Sequence, residues 1–237
     1  MAESDPAPVA LVCGMAEGFG VALCRALAAA GYDVLGLSRT RRVEAQAERA
    51  AASNGRAYRH LICDLTDESD VARTLAPEAA RVGVVVYNAH VLLMAPFLET
   101  EPDAFARLWA VGCAGAASVA RALLPAMTAR GAGTLIFSGA TASRRAGART
   151  AAFGSAKFAL RGLSQALARE FGPRGIHVAH VVLDGLIDEP QSERRFAERT
   201  SQRMAPDAVA DAYVVLIRQP RNAWTHELDL RPFDERF

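Results

Sequence analysis

Lysine is almost missing from this chain. Of 27 Lys and Arg residues, Lys157 alone is a lysine and all the others are arginine. Charge of either sign is also in short supply as a surplus: the formal net charge is +1 over 237 residues. That balance excludes the broad basic field of a nucleic-acid binder and the acidic tail of a charge-driven interactor. The four cysteines, Cys13, Cys24, Cys63 and Cys113, sit inside apolar segments without a CxxC spacing. A disulfide framework or metal site is not expected from them, and they read as small buried hydrophobes. No uninterrupted run of eighteen apolar residues appears, so no membrane partner is expected. Met1 to Pro8 is acidic and proline-containing rather than basic then apolar, unlike a secretory signal. The expectation is a cytoplasmic protein whose first eight residues are flexible. Neither a Gly/Ser/Pro linker nor an internal repeat divides the chain, which predicts a single domain over 1–237.

What is present is alternation. Hydrophobic residues make up 51% of the chain, enough for a large core. Val9 to Cys13 is a short apolar run, followed by a glycine-containing turn and an Ala-rich helical segment, Val21 to Ala30, that stops before Gly31. The pattern continues with strands over 33–38, 58–63, 82–87, 134–138 and 177–183. Helices are predicted over 41–52, 68–80, 102–130 and 150–171. Pro206 opens a helix running to Arg218, and Trp224 to Leu230 alternates like a last strand. Strands this continuously apolar are covered on both faces. The fold class is therefore α/β, a Rossmann-type doubly wound parallel sheet flanked by helices. The charged, irregular stretch 184–205 between strand and helix is expected to be a mobile substrate flap.

Chemistry enters at the first turn. Gly14, Gly18 and Gly20, with Phe19 between the last two, fall between a strand and a helix. There the backbone can approach a pyrophosphate, and amides at the helix N-terminus can bind it. Nucleotide choice is made at the end of the second strand, where an acid would hold a ribose 2′-hydroxyl and an arginine would accept a 2′-phosphate. The residues there are Ser38-Arg39-Thr40-Arg41-Arg42, and Asp33 is at the wrong end of the strand. Arg39 and its neighbours favour NADP(H) over NAD(H).

With Asp64-Leu65 after the third strand, Asn88-Ala89 after the fourth and Lys157 on a helix after the fifth, the chain resembles the short-chain dehydrogenase/reductase family from about residue 9 to 230. The resemblance implies that Gly14, Gly18 and Gly20 hold the cofactor phosphates, that Asp64 contacts the adenine, and that Asn88-Ala89 lines the end of the fourth strand. It also implies a Tyr-x-x-x-Lys pair, a serine and an asparagine that together move the proton. Only the lysine of that set is present. Phe153 stands at the tyrosine position, Ala140 at the serine position and Gly112 at the asparagine position. Further departures are His90 after Asn88-Ala89, Asp184-Gly185 in place of Pro-Gly, Asp188 in place of a threonine, and a C-terminal segment without Asp-Gly-Gly.

Phenylalanine cannot donate a proton, and losing a positioned general acid costs roughly 10²- to 10⁴-fold in rate. The replacement candidates are Lys157, His90, Asp184 and Ser143, with Ser138 and Thr141 as further hydroxyls near the lost serine. Lys157 is a compact titratable charge whose pKa falls on burial, and His90 has the pKa for acid-base work. Arg144, Arg145 and Arg149 could read an anionic substrate or be a solvated face. Three readings follow: an NADP(H)-dependent oxidoreductase of a small carbonyl or alcohol with a non-standard proton donor, a catalytically silent cofactor-binding or heteromer-forming protein, and a non-redox enzyme on the same scaffold. The resemblance further implies a homodimer or homotetramer acting on a small molecule.

Overall fold

The computed structural model describes residues 7–198 and 202–235. Most of the expected flexible start, and residues 199–201 of the expected flap, lie outside them. Seven strands form one parallel sheet: β1 (Val9–Cys13), β2 (Asp33–Ser38), β3 (Tyr58–Ile62), β4 (Val82–Tyr87), β5 (Gly133–Ser138), β6 (Ile176–Leu183) and β7 (Glu227–Leu230). Their order is β3-β2-β1-β4-β5-β6-β7. The chain reverses its winding between β1 and β4, and the crevice outside their carboxyl ends is where open α/β sheets bind ligands.

Side chains alternate across each strand and feed two apolar layers. Ala10, Val12, Val84, Val86 and Ile136 face α1 (Phe19–Ala29), α2 (Glu44–Ala52) and α8 (Pro206–Ile217). Leu11, Cys13, Val85, Leu135 and Phe137 face α3 (Glu68–Leu75), α5 (Gly115–Arg130) and α6 (Ala151–Phe171). All four cysteines are buried thiols. Burial at both faces explains why the strands read as continuous apolar runs.

The stretch 102–130, expected as one helix, is instead three pieces. α4 (Pro102–Trp109) passes through a π-helical turn, Ala110–Ala114, into α5. The Tyr87 hydroxyl donates to the Val111 carbonyl at 2.6 Å. A Cβ on Gly112 would lie 2.9 Å from the Ala156 Cβ, and one on Gly115 would lie 2.6 Å from the Leu65 carbonyl oxygen. The widened turn is thus held from the sheet by Tyr87 and seated closely on α6, with glycines where a side chain would collide. By length and composition this stretch could cross a membrane, but half of its apolar window is buried inside the protein.

Other boundaries move for local reasons. The helix expected to reach residue 80 ends at Leu75, because Pro77 leads a 3₁₀ turn over Ala76–Glu78. The last strand begins at Glu227, and Trp224 before it stacks on the His177 ring at 5.0 Å. The segment after β6, expected to be irregular, holds a short helix, α7 (Pro190–Arg195), and is tied back by a bridge between Ile187 and Met204.

Candidate active site

A cleft of about 340 Å³ runs along the carboxyl ends of β1, β4 and β5, from Arg39 and Asp64 at one end to Phe153 and Lys157 at the other. Its floor is the turn between β1 and α1. Gly14 and Met15 donate to the Leu37 carbonyl at 2.8 and 3.2 Å, which pins the turn across to β2. Gly18 has φ 78°, a conformation that favours glycine, and it directs the first amides of α1 into the cleft. Asn88 donates its backbone N–H to the Cys13 carbonyl at 2.9 Å, so Asn88 and Ala89 continue the wall from β4.

At the far end of β2, Arg39 is exposed and borders the cleft. Behind it the Ser38 hydroxyl and the Tyr58 hydroxyl bracket the His60 ring at 3.0 and 2.7 Å. Burial lowers the His60 pKa, which leaves a neutral imidazole as the link between two hydroxyls. Asp33 accepts from the Ala57 amide at 3.0 Å at the opposite end of its strand, as its position predicts. Asp64 accepts from the Thr66 amide and hydroxyl at 2.9 and 2.8 Å. Those bonds hold its carboxyl below the usual range, with a smaller contribution from Arg39.

The other end carries Lys157. It is 3% exposed, and its Nζ donates to the Ser138 carbonyl at 2.7 Å. Burial pulls its pKa from 10.5 to about 8. The Phe153 ring lies one helical turn back, with its centroid 5.8 Å from Nζ. His90 completes the group, its ring meeting Phe153 edge-on at 6.4 Å and its Nδ1 3.3 Å from the Asn88 carbonyl oxygen. His90 is exposed and lines the cleft; desolvation by its neighbours first, and then the Lys157 charge, lower its pKa.

Phe153 and Ala140 both line the cleft, and neither side chain brings a hydroxyl to it. Gly112 is buried beneath α6 against Ala156. Lys157 and His90 are brought together here; Asp184 and Ser143 are not. Leu183 and Gly185 face the cleft, so by alternation Asp184 points to the other side. There it accepts from the Thr141 hydroxyl at 2.6 Å and pairs with Arg145 and Arg231 at 3.3 and 3.5 Å, bordering a separate cavity of about 180 Å³. Ser143 is fully buried, and its hydroxyl turns back to accept from the Ala140 amide at 3.1 Å. Arg144 pairs with Asp229 at 2.6 Å, so it too is engaged away from the cleft.

Residues that sequence reasoning missed enter the cleft from the segment after β6: Glu189, Gln191, Ser192, Arg195 and Phe196. None carries a periodic or motif signal, and long-range ties such as the Ile187–Met204 bridge and the Arg195–Leu92 bond hold the segment across the site.

A glycine turn at a helix N-terminus, an arginine at the second strand and a buried lysine facing the same cleft define a nicotinamide-dinucleotide-binding oxidoreductase of the Rossmann type. The chain belongs to the short chain dehydrogenase family, whose family model matches residues 8–199. A short-chain dehydrogenase from Rhodopseudomonas palustris is 33% identical and superposes with a TM-score of 0.81, covering 95% of this chain and 99% of that one. A metagenomic short-chain oxidoreductase in complex with NADP is 26% identical, with a TM-score of 0.83, over 95% of this chain and 96% of that one. Glycine betaine reductase of Emericella nidulans is 27% identical over 96% of this chain, which spans 19% of that relative's length.

Proposed function

We propose that this protein is an NADP(H)-dependent oxidoreductase acting on a small carbonyl or alcohol, with Lys157 as its proton source. The observation that carries the proposal is the buried Lys157 ammonium, which keeps two N–H groups after its bond to Ser138 and sits beside the phenylalanine that replaces the usual donor. When bound, the nicotinamide supplies or takes up hydride.

The cleft fits such a cofactor: the Gly14-to-Gly20 turn would hold its phosphates, Arg39 a 2′-phosphate, Asp64 the adenine end, and Asn88 and Ala89 the wall toward the nicotinamide. Lys157 has a pKa of about 8, so it is protonated at neutral pH and close enough to working pH to release the proton. The proton would pass from Nζ to the substrate oxygen, leaving the neutral amine bonded to the Ser138 carbonyl. His90 contributes an imidazole on the same wall and orients the substrate oxygen. Val91, Leu92, Val111 and Phe196 make the neighbouring surface apolar, which suits a small, mostly uncharged substrate.

The reading includes a single domain in a cytoplasmic homodimer or homotetramer, with exposed Trp109 on α4 and Phe158 on α6 as the apolar contact surface. Light scattering checks the assembly. The function is tested by following nicotinamide absorbance with NADPH and NADH over a panel of aldehydes, ketones and alcohols. Turnover by the wild type that is lost in Lys157→Met, kept in Asp184→Asn and raised in Phe153→Tyr is the expected result. Tight cofactor binding with no turnover on any substrate would refute it.

A further inference from the structure

The first amide of α1, that of Phe19, is where a dinucleotide's pyrophosphate would dock. In this protein a carboxylate is already on it. Glu189, 170 residues further along the chain, accepts from the Phe19 N–H through Oε2 at 3.2 Å. The side chain also lies flat on the turn: a Cβ on Gly18 would be 2.4 Å from the Glu189 Cβ and 2.8 Å from Oε2. α1 has no side-chain cap of its own at Gly18, so Glu189 serves as one from outside.

The contact is delivered by a tethered backbone. Just before Glu189, Asp188 donates its N–H to the Met204 carbonyl at 2.9 Å. Just after it, Pro190 begins α7, and Arg195 at the end of α7 donates to the Leu92 carbonyl at 3.2 Å across the cleft. Residues 187–195 thus form a strap held at both ends, with Glu189 pressed onto the phosphate turn between them. Burial raises the Glu189 carboxyl pKa, opposed by its bond to Phe19, as expected of an acid held away from water.

We propose that Glu189 is an affinity-determining residue of the dinucleotide site: its carboxylate occupies the pyrophosphate seat on the Phe19 amide and must be displaced before a dinucleotide docks. The proposal rests on reading the cleft as a dinucleotide site. A pyrophosphate brings its own negative charge to the same amide, and two anions within a few ångströms in a partly desolvated site repel strongly. Dinucleotide binding therefore includes the cost of swinging Glu189 off the turn.

The test is isothermal titration of the full chain with NADPH, NADH and adenosine 2′-phosphate, comparing wild type, Glu189→Gln and Glu189→Thr. Glutamine keeps the hydrogen-bond acceptor and shape but removes the charge. Threonine removes the reach as well. Both variants are expected to bind the dinucleotides roughly ten- to a hundredfold more tightly. Adenosine 2′-phosphate lacks the pyrophosphate, so its affinity should stay within about twofold. Dinucleotide binding that is unchanged or weaker in both variants, with wild type still binding, overturns the role of Glu189 and leaves the cleft assignment standing. Equal tightening of adenosine 2′-phosphate also overturns it, because the effect would not be local to the turn. No dinucleotide binding by wild type or either variant overturns both readings together.

Discussion

Replacing Lys157 by methionine should make the protein more stable and less functional at once. The ammonium is 3% exposed and its pKa falls from 10.5 to about 8. At about 1.4 kcal/mol per unit, this burial disfavours folding by about 3 kcal/mol when both states are protonated. The direction follows from linkage. Below pH 8 the folded and unfolded chains both hold the proton and the full cost is present. Between about pH 8 and 10.5 the folded state sheds it first, the unfolded state binds more protons, and stability rises with pH. Lys157→Met removes the charge but leaves the Ser138 carbonyl without its 2.7 Å donor, a loss of about 1–2 kcal/mol. The net gain at neutral pH is about 1–2 kcal/mol. Urea unfolding followed by tryptophan fluorescence, run on both proteins from about pH 7 to 9.5, measures it. Subtracting the two curves cancels the other titrating groups, including the buried tyrosines, and the variant's advantage should shrink by about 2 kcal/mol across that range. Curves that stay parallel would show that Lys157 bears no such desolvation cost, and the assignment of a near-neutral proton donor would fall with it.

Asparagine at position 112 would place its Cβ 2.9 Å from that of Ala156, so Gly112→Asn should lower stability by about 1–3 kcal/mol, with partial recovery on adding Ala156→Gly; thermal melts decide this. Arg161 grips Glu227 with two bonds at 2.6 and 2.9 Å, which lowers the Glu227 pKa. Arg161→Met should cost about 1–2 kcal/mol at neutral pH, discounted for partial exposure, and the difference in urea midpoint should vanish as pH falls through the depressed carboxyl pKa. Asp184→Asn should cost about 1–3 kcal/mol through its arginine partners while leaving NADPH affinity unchanged, because the carboxylate lies outside the cleft. A large loss of cofactor affinity in that variant would contradict the placement.

Much of the site was legible because it is local. The glycine turn, Arg39 and Asp64 each follow directly from a strand whose apolar run marks its end, so position along the chain already says which end of the sheet they occupy. Lys157 was visible as the lone lysine and as the end of a Phe153-to-Lys157 helical turn. Asp184 and Ser143 were equally plausible from the sequence and are turned away. One residue of strand alternation separates Leu183, in the cleft, from Asp184, in the other cavity. The π-helical turn was not legible either, since Ala110 to Ala114 has ordinary helical composition and is shaped by Tyr87 and Ala156, which come from distant elements.

The sequence by itself determined the α/β class: apolar strands alternating with amphipathic helices are what a parallel sheet covered on both faces requires, with a glycine turn at its first crossover. It also determined that positions 153 and 140 carry no hydroxyl, because Phe153 and Ala140 are residue identities rather than geometry. Tertiary structure alone decided which charged groups share the cleft. That a glutamate 170 residues away lies on the first amide of α1, and that Lys157 is dry enough to titrate near neutrality, depend on how the strap and the α6 helix close over the sheet. Burial and long-range contact are properties of the packed chain, and no local pattern encodes them.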